Sequence, residues 1–170
     1  YEVNLSSNEA AFSLSRLSDT HPRRLNHAAA QSSRELVKMA LQGANPNSQL
    51  EGCDELPGKT NYIIGNDSTK WLTGVPNYAK VRYTSVYPGI DLIYYGNQRQ
   101  LEYDFVIAPG ADPSAIQLKF AGVRRTSIND RGDLILQTVH GTIRQLKPVV
   151  YQETNGTKQH VEGRYKLTAT

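Results

Sequence analysis

The chain has 170 residues, 38% of them apolar, with a formal charge of +3, enough for one domain with a real hydrophobic core. The only adjacent basic pairs are Arg23-Arg24 and Arg124-Arg125, so the charge pattern excludes a nucleic-acid footprint. No apolar run approaches the roughly 20 residues that cross a bilayer, and the lone Cys53 excludes an internal disulfide.

In chain order, residues 1–5 and 10–17 read as two short strands joined by Ser6-Ser7-Asn8-Glu9, a hairpin with Phe12 and Leu14 alternating against serines. The first residue is Tyr1 rather than Met, which fits a processed, exported product or a fragment. Residues 18–33 carry a proline, two arginines and two histidines without a sustained period, so a long loop is expected there. Val37, Met39 and Leu41 alternate with Lys38, Ala40 and Gln42, the pattern of a strand with one buried face. Residues 43–58 are rich in turn formers and read as loop, and Trp71 falls in another loop.

The densest strand signal spans residues 83–116. Residues 90–95 form an apolar and aromatic run, and Leu101, Tyr103, Phe105 and Ile107 recur at two-residue spacing. The turn at 96–100 joins them, while Pro88-Gly89 and Pro109-Gly110 bracket the unit, because proline lacks the N–H a ladder needs. A central antiparallel hairpin is expected. Asp112-Pro113 then fits the cap of a single helical turn before a strand at 116–120.

The second half reads as a meander, with strands at 127–128, 134–138, 142–146, 149–152, 158–161 and 164–168. Its turns are Asp130-Arg131-Gly132, His140-Gly141, Asn155-Gly156 and Gly163. The expected fold is all-β: a single domain over 1–170, an antiparallel β-sandwich or barrel-like meander of many short strands with long loops.

Candidate chemistry is sparse. Glu102 and Asp104 stand two positions apart, hence on one strand face about 7 Å apart, the separation of a glycosidase carboxylate pair. Asp91 adds a third oxygen donor of the kind calcium takes. Strand carboxylates more often pair with arginine or face water, and no catalytic residue is assigned. His21, His27, His140 and His160 lack metal-ligand spacing, Gly58-Lys59 lacks the rest of a phosphate loop, and Cys53 sits in no thiol-enzyme signature. Neither a metal nor a cofactor is expected. Arg131-Gly132-Asp133 spells the tripeptide read by integrins at a position where a turn suffices to explain it. Asn4, Asn66 and Asn155 each begin a glycosylation acceptor triplet at an expected turn or strand end.

The stretches at 56–71 (LPGKTNYIIGNDSTKW), 75–96, 100–122 and 146–152 (LKPVVYQ) resemble an uncharacterised β-rich domain. That domain occurs near the N-terminus of large secreted bacterial proteins carrying SBBP-type β-propeller repeats. The resemblance covers most of the chain and implies a secreted or bacterial cell-surface location. It brings no activity, cofactor or catalytic residue. The propeller repeats are missing here, and residues 1 and 170 lie at expected strands.

Three functions follow as expectations. One is a non-catalytic structural module, a fibre or filament subunit that self-associates by exchange of terminal strands through Tyr1, Val3, Leu5, Tyr165 and Leu167. The second is a carbohydrate-binding module stacking glycans on exposed Trp71, Tyr94, Tyr95 or Tyr103. The third is a glycoside hydrolase built on Glu102 and Asp104.

Overall fold

The computed structural model describes residues 2–6, 8–15, 34–97 and 100–168. The loop expected at 18–33 lies outside the described residues, as does Tyr1. The fold is all-β and antiparallel, with many short strands and no closed barrel among the described residues. No helix among them is long and apolar enough to cross a membrane. Two compact units form, one of Tyr1–Asn4, Ala11–Lys38 and Phe120–Thr170, the other of Leu5–Ala10 and Met39–Lys119.

The strands are β1 (Glu2–Leu5), β2 (Glu9–Ser15), β3 (Arg34–Leu41), β4 (Gln49–Tyr62), β5 (Leu72–Tyr87), β6 (Ile90–Asn97), β7 (Gln100–Ile107) and β8 (Leu118–Ala121). They continue with β9 (Arg125–Ile128), β10 (Leu134–Gln137), β11 (Thr142–Gln145), β12 (Val150–Thr154) and β13 (Thr157–Val161). One sheet has the order β1-β2-β3-β8. The N-terminal turn is closed by Ser6 N–H donating to the Glu9 carbonyl at 2.9 Å, and Val37, Met39 and Leu41 are buried, both as expected.

In the second unit, the sheet β4-β5-β6-β7 contains the central hairpin. β6 alternates strictly, burying Ile90, Leu92 and Tyr94 and turning Asp91, Ile93 and Tyr95 to the other face. β7 matches it residue for residue from Ile90 opposite Ile107 to Asn97 opposite Gln100. Tyr83 and Val86 of β5 complete this buried face. Asp112 caps the single helical turn Pro113–Ala115 by accepting from the Ser114 N–H at 2.9 Å, as the Asp-Pro pair predicts.

The expectation of loop at 43–58 is overturned, because residues 49–62 form β4, paired along its length with β5. Turn formers are accommodated at irregularities. The register shifts between Glu55 and Lys59, which is where Pro57 sits, and proline is tolerated at bulges. Asp54 takes the left-handed conformation at φ 57°. The Tyr78 ring lies over Gly52, in the space a side chain there would fill. Beyond the reach of β6, the far part of the β4–β5 ribbon is knitted by side chains. Thr60 Oγ1 donates to Asn77 Oδ1 at 2.9 Å, Asn77 Nδ2 to the Gly58 carbonyl at 2.8 Å, and Gly74 N–H to Asn61 Oδ1 at 2.8 Å.

In the first unit, β10 lies between β9 and β11 and buries Leu134 and Leu136, while β12 and β13 form a separate hairpin. The Asn155-Gly156 turn of that hairpin has positive φ at both residues, 52° and 75°, as a two-residue hairpin turn requires. The strand expected at 164–168 is not formed: residues 162–168 join no sheet among the described residues.

Candidate functional site

The polar face of the β4–β7 sheet gathers most of the residues with chemistry to offer. The register aligns Cys53, Lys80, Tyr95 and Glu102 in one row across the four strands, and Glu51, Arg82, Ile93 and Asp104 in the next. Glu102 and Asp104 therefore share a face, as their spacing predicts, and Tyr95 stands beside both. Its hydroxyl donates to Asp104 Oδ2 at 3.2 Å, and Asn97 Nδ2 donates to Glu102 Oε1 at 2.8 Å. Burial, the charge of Asp104 and the hydrogen bonds to the two carboxylates push the Tyr95 phenol up to about 12. Tyr95 is thus a fixed, neutral donor near neutral pH. Both carboxylates are engaged by neighbouring side chains, which is the ordinary cross-strand arrangement.

Asp91 does not join them as a metal ligand. Its Oδ1 accepts from the Ser85 N–H at 2.7 Å and its Oδ2 from Arg82 Nε at 3.2 Å, with the guanidinium Nη2 also bonded. Burial raises its pKa, but the Ser85 and Arg82 bonds and the Arg82 charge outweigh that and hold it below the usual carboxylate value. Ser85 has φ 52° and lies where the β5–β6 register shifts between Tyr83 and Tyr87. Asp91 therefore pins a bulge, and the arginine beside it would oppose a bound cation. Among the described residues, no group of three or more His, Cys, Asp or Glu is placed to hold a metal ion.

The four aromatic residues do not make one platform. Tyr94 is 4% exposed, which overturns its expected role as an exposed stacking surface. Its ring packs edge-on against Tyr83 at 6.0 Å and lies 5.8 Å from Tyr103, which in turn meets Phe105 at 5.9 Å. Tyr95, one residue on, falls on the opposite face because side chains alternate along a strand. Trp71 immediately precedes β5, 37% exposed, its Nε1 donating to the Gly65 carbonyl at 3.2 Å.

Of the assembly candidates, Val3 and Leu5 are half-buried in β1, which neighbours β2 of its own chain. Tyr165 is half-buried, its hydroxyl donating to the Leu146 carbonyl at 2.9 Å and accepting from Gln145 Nε2 at 2.7 Å. Leu167 is exposed. Asn4, Asn66 and Asn155 are all exposed, Asn155 at the tip of the β12–β13 hairpin.

In Arg131-Gly132-Asp133 the aspartate is only 6% exposed. It accepts from the Lys147 N–H at 2.9 Å and from Asn129 Nδ2 at 3.3 Å, so it staples a turn rather than presenting an adhesion motif.

One residue escaped sequence reasoning altogether. Glu35 of β3 accepts from the backbone of Val139 and His140, between β10 and β11. A bond across 104 residues leaves no local pattern to find.

One family model matches the chain, over residues 1–170, and its description is a domain of unknown function (DUF7948). No curated protein and no solved structure matches the chain.

Proposed function

The chain belongs to the DUF7948 family, a domain of unknown function, and from that premise we propose that it is a non-catalytic structural module of a bacterial cell surface that self-associates by strand exchange. The observation that carries this reading is the segment 164–168, Arg-Tyr-Lys-Leu-Thr. It keeps the alternation of a sheet strand yet joins no sheet among the described residues. A strand pattern without a ladder suits a segment that completes a sheet elsewhere.

The charged side chains also favour a structural reading over hydrolysis. Asp91, Asp133 and Glu35 each hold backbone N–H groups, and Glu102 and Asp104 bond to Asn97 and Tyr95. These are positioning roles within the fold. Binding of glycans across a row of tyrosines is disfavoured by the burial of Tyr94 and the separation of Tyr95 from Tyr103 onto opposite faces. The secreted location rests on the resemblance to domains that precede SBBP-type repeats.

Light scattering and negative-stain microscopy test the assembly. Wild type is expected to form extended oligomers, and deletion of residues 164–170 to leave a folded monomer. A wild type that stays monomeric at high concentration would sink the reading. Protease treatment of intact host cells tests the location, with cleavage of the protein at the surface as the expected result.

A further inference from the structure

Asn155-Gly156 is the one asparagine-glycine pair in the chain, and it forms the tip of the β12–β13 hairpin. Glycine has no side chain to shield its main-chain nitrogen. The space around Gly156 is open as well, since a Cβ placed there would meet nothing within 4 Å. Thr154 lies opposite Thr157, so the ladder ends on either side of the turn and neither tip residue belongs to it. The Asn155 side chain is exposed and makes no hydrogen bond among the described residues. Other asparagine amides are engaged. Asn45 donates to the Ser85 carbonyl, Asn77 to the Gly58 carbonyl, Asn97 to Glu102 and Asn129 to Asp133, while Asn61 accepts from the Gly74 N–H.

The hairpin that carries this tip has little to hold it shut. β12 and β13 form a two-stranded sheet of their own, and every residue from 151 to 162 is exposed. A lone two-stranded hairpin is marginally stable at best in water, so this pair opens more readily than strands inside a larger sheet. Val150 at its base is half-buried, with Gly163 close against its side chain. Across the strands the Lys158 ammonium stands 4.2 Å from the centre of the Tyr151 ring, an exposed contact that adds little.

We propose that Asn155 is a self-modification site: its side-chain amide closes onto the main-chain nitrogen of Gly156 and is converted to aspartate and isoaspartate, of which isoaspartate unlocks the β12–β13 hairpin. The Gly156 nitrogen loses its proton and attacks Asn155 Cγ. The N–Cγ bond forms, the Cγ–Nδ2 bond breaks, and the side-chain nitrogen takes up a proton and leaves as ammonia. Water then opens the five-membered succinimide, at Cγ to give aspartate or at the main-chain carbonyl carbon to give isoaspartate. One amide and one water become one carboxylic acid and ammonia, with no change of oxidation state. The reacting atoms belong to adjacent residues, so proximity is built in. Ring closure turns the Asn155 Cα–C bond away from its hairpin-turn setting, so the reaction runs through the opened hairpin and its rate follows how often the hairpin opens. Isoaspartate adds a carbon to the main chain inside a two-residue turn, and the turn that sets the register from Thr154 opposite Thr157 to Val150 opposite Val161 is lost. Aspartate keeps that turn, because Asp-Gly suits it as Asn-Gly does. The site stands whether or not subunits exchange strands.

The test follows the full chain during incubation at pH 7 by peptide mass spectrometry, with chromatography to separate asparaginyl, aspartyl and isoaspartyl forms. Conversion at Asn155 is expected to outpace that at every other asparagine by about tenfold. The Thr154 and Thr157 pair that closes the turn is hydrogen-bonded, so by alternation Tyr151 and His160 form a non-bonded pair, close enough for a disulfide. In a Cys53→Ser background, Tyr151→Cys with His160→Cys is expected to slow conversion about tenfold when oxidised and to recover the full rate when reduced. Circular dichroism verifies that this variant is folded, and the wild-type time course needs no substitution. Amide hydrogen exchange across residues 150–161 is expected to be about tenfold faster in the isoaspartyl form and unchanged in Asn155→Asp. An Asn155 that converts no faster than other asparagines, or that carries a glycan instead, would overturn the site. A rate indifferent to the lock would overturn its control by hairpin opening, and an isoaspartyl form with unchanged exchange would overturn the unlocking.

Discussion

The Glu35 carboxylate accepts the main-chain N–H of Val139 at 2.6 Å, closing the β10–β11 turn from a strand 104 residues earlier in the chain. The His140 N–H lies 3.4 Å from its other oxygen. One carboxylate thus satisfies donors that a tight turn leaves without a strand partner, as an anion does in a backbone nest.

Acid should loosen this contact. Burial raises the Glu35 pKa, but the bonds from Val139, Thr138 and His140 and the His140 charge outweigh it, so the folded value lies below the ordinary 4.5. A depressed carboxylate contributes stability that is present above its unfolded pKa and is lost as pH falls through the folded one. Glu35→Gln is therefore expected to lower Tm at pH 7 and to reduce the fall of Tm between pH 5 and pH 3. Thermal melts across that range check it, and parallel wild-type and variant curves would refute the assignment.

Removing the Asp91 carboxylate should open the bulge at Ser85. Asp91→Ala leaves the Ser85 N–H and the Arg82 guanidinium without their acceptor. A loss of about 1–3 kcal/mol is expected in urea unfolding, and Asp91→Asn should recover part of it by still accepting from Ser85. Equal losses in the two variants would contradict this account.

Tyr83 gives a prediction of opposite sign. It is 1% exposed, and its hydroxyl has no hydrogen-bond partner among the described residues. An unsatisfied buried hydroxyl is destabilising, so Tyr83→Phe is expected to stabilise the fold by up to about 1 kcal/mol while keeping the edge-on contact with Tyr94. A loss of stability in the denaturation curve would reveal a partner for that hydroxyl.

Tyr95 contributes to the alkaline limb beside the buried phenols of Tyr83, Tyr87 and Tyr94, which are also raised. Burial, Asp104 and Glu102 raise its pKa from 10.0 to about 12. A raised pKa contributes stability that is complete below the unfolded value and declines as pH rises toward the folded one. Stability should fall between pH 10 and pH 12, and Tyr95→Phe should flatten that fall. Ultraviolet titration at the phenolate band should show one tyrosine fewer in the step near pH 12 for Tyr95→Phe, below the still more strongly raised phenol of buried Tyr94; no change in that step would place the raised group elsewhere.

Much of this architecture could be read from local pattern. The period-two run of β6 and β7, the Asp112-Pro113 cap and the Asn155-Gly156 turn each depend on residues adjacent in sequence, so composition and spacing suffice to find them. β4 was not legible, because Gly52, Pro57 and Gly58 are turn formers by local propensity. Only pairing with β5, with the Tyr78 ring over Gly52 and a register shift around Pro57, makes a strand of them. The converse holds at 164–168, whose alternation is that of a strand although the segment joins no sheet among the described residues. Spacing alone put Glu102 and Asp104 on one face. Their bonds to Asn97 and Tyr95, the burial of Tyr94 and the reach of Glu35 to Val139 were decided by tertiary structure, since each depends on where a different strand lies.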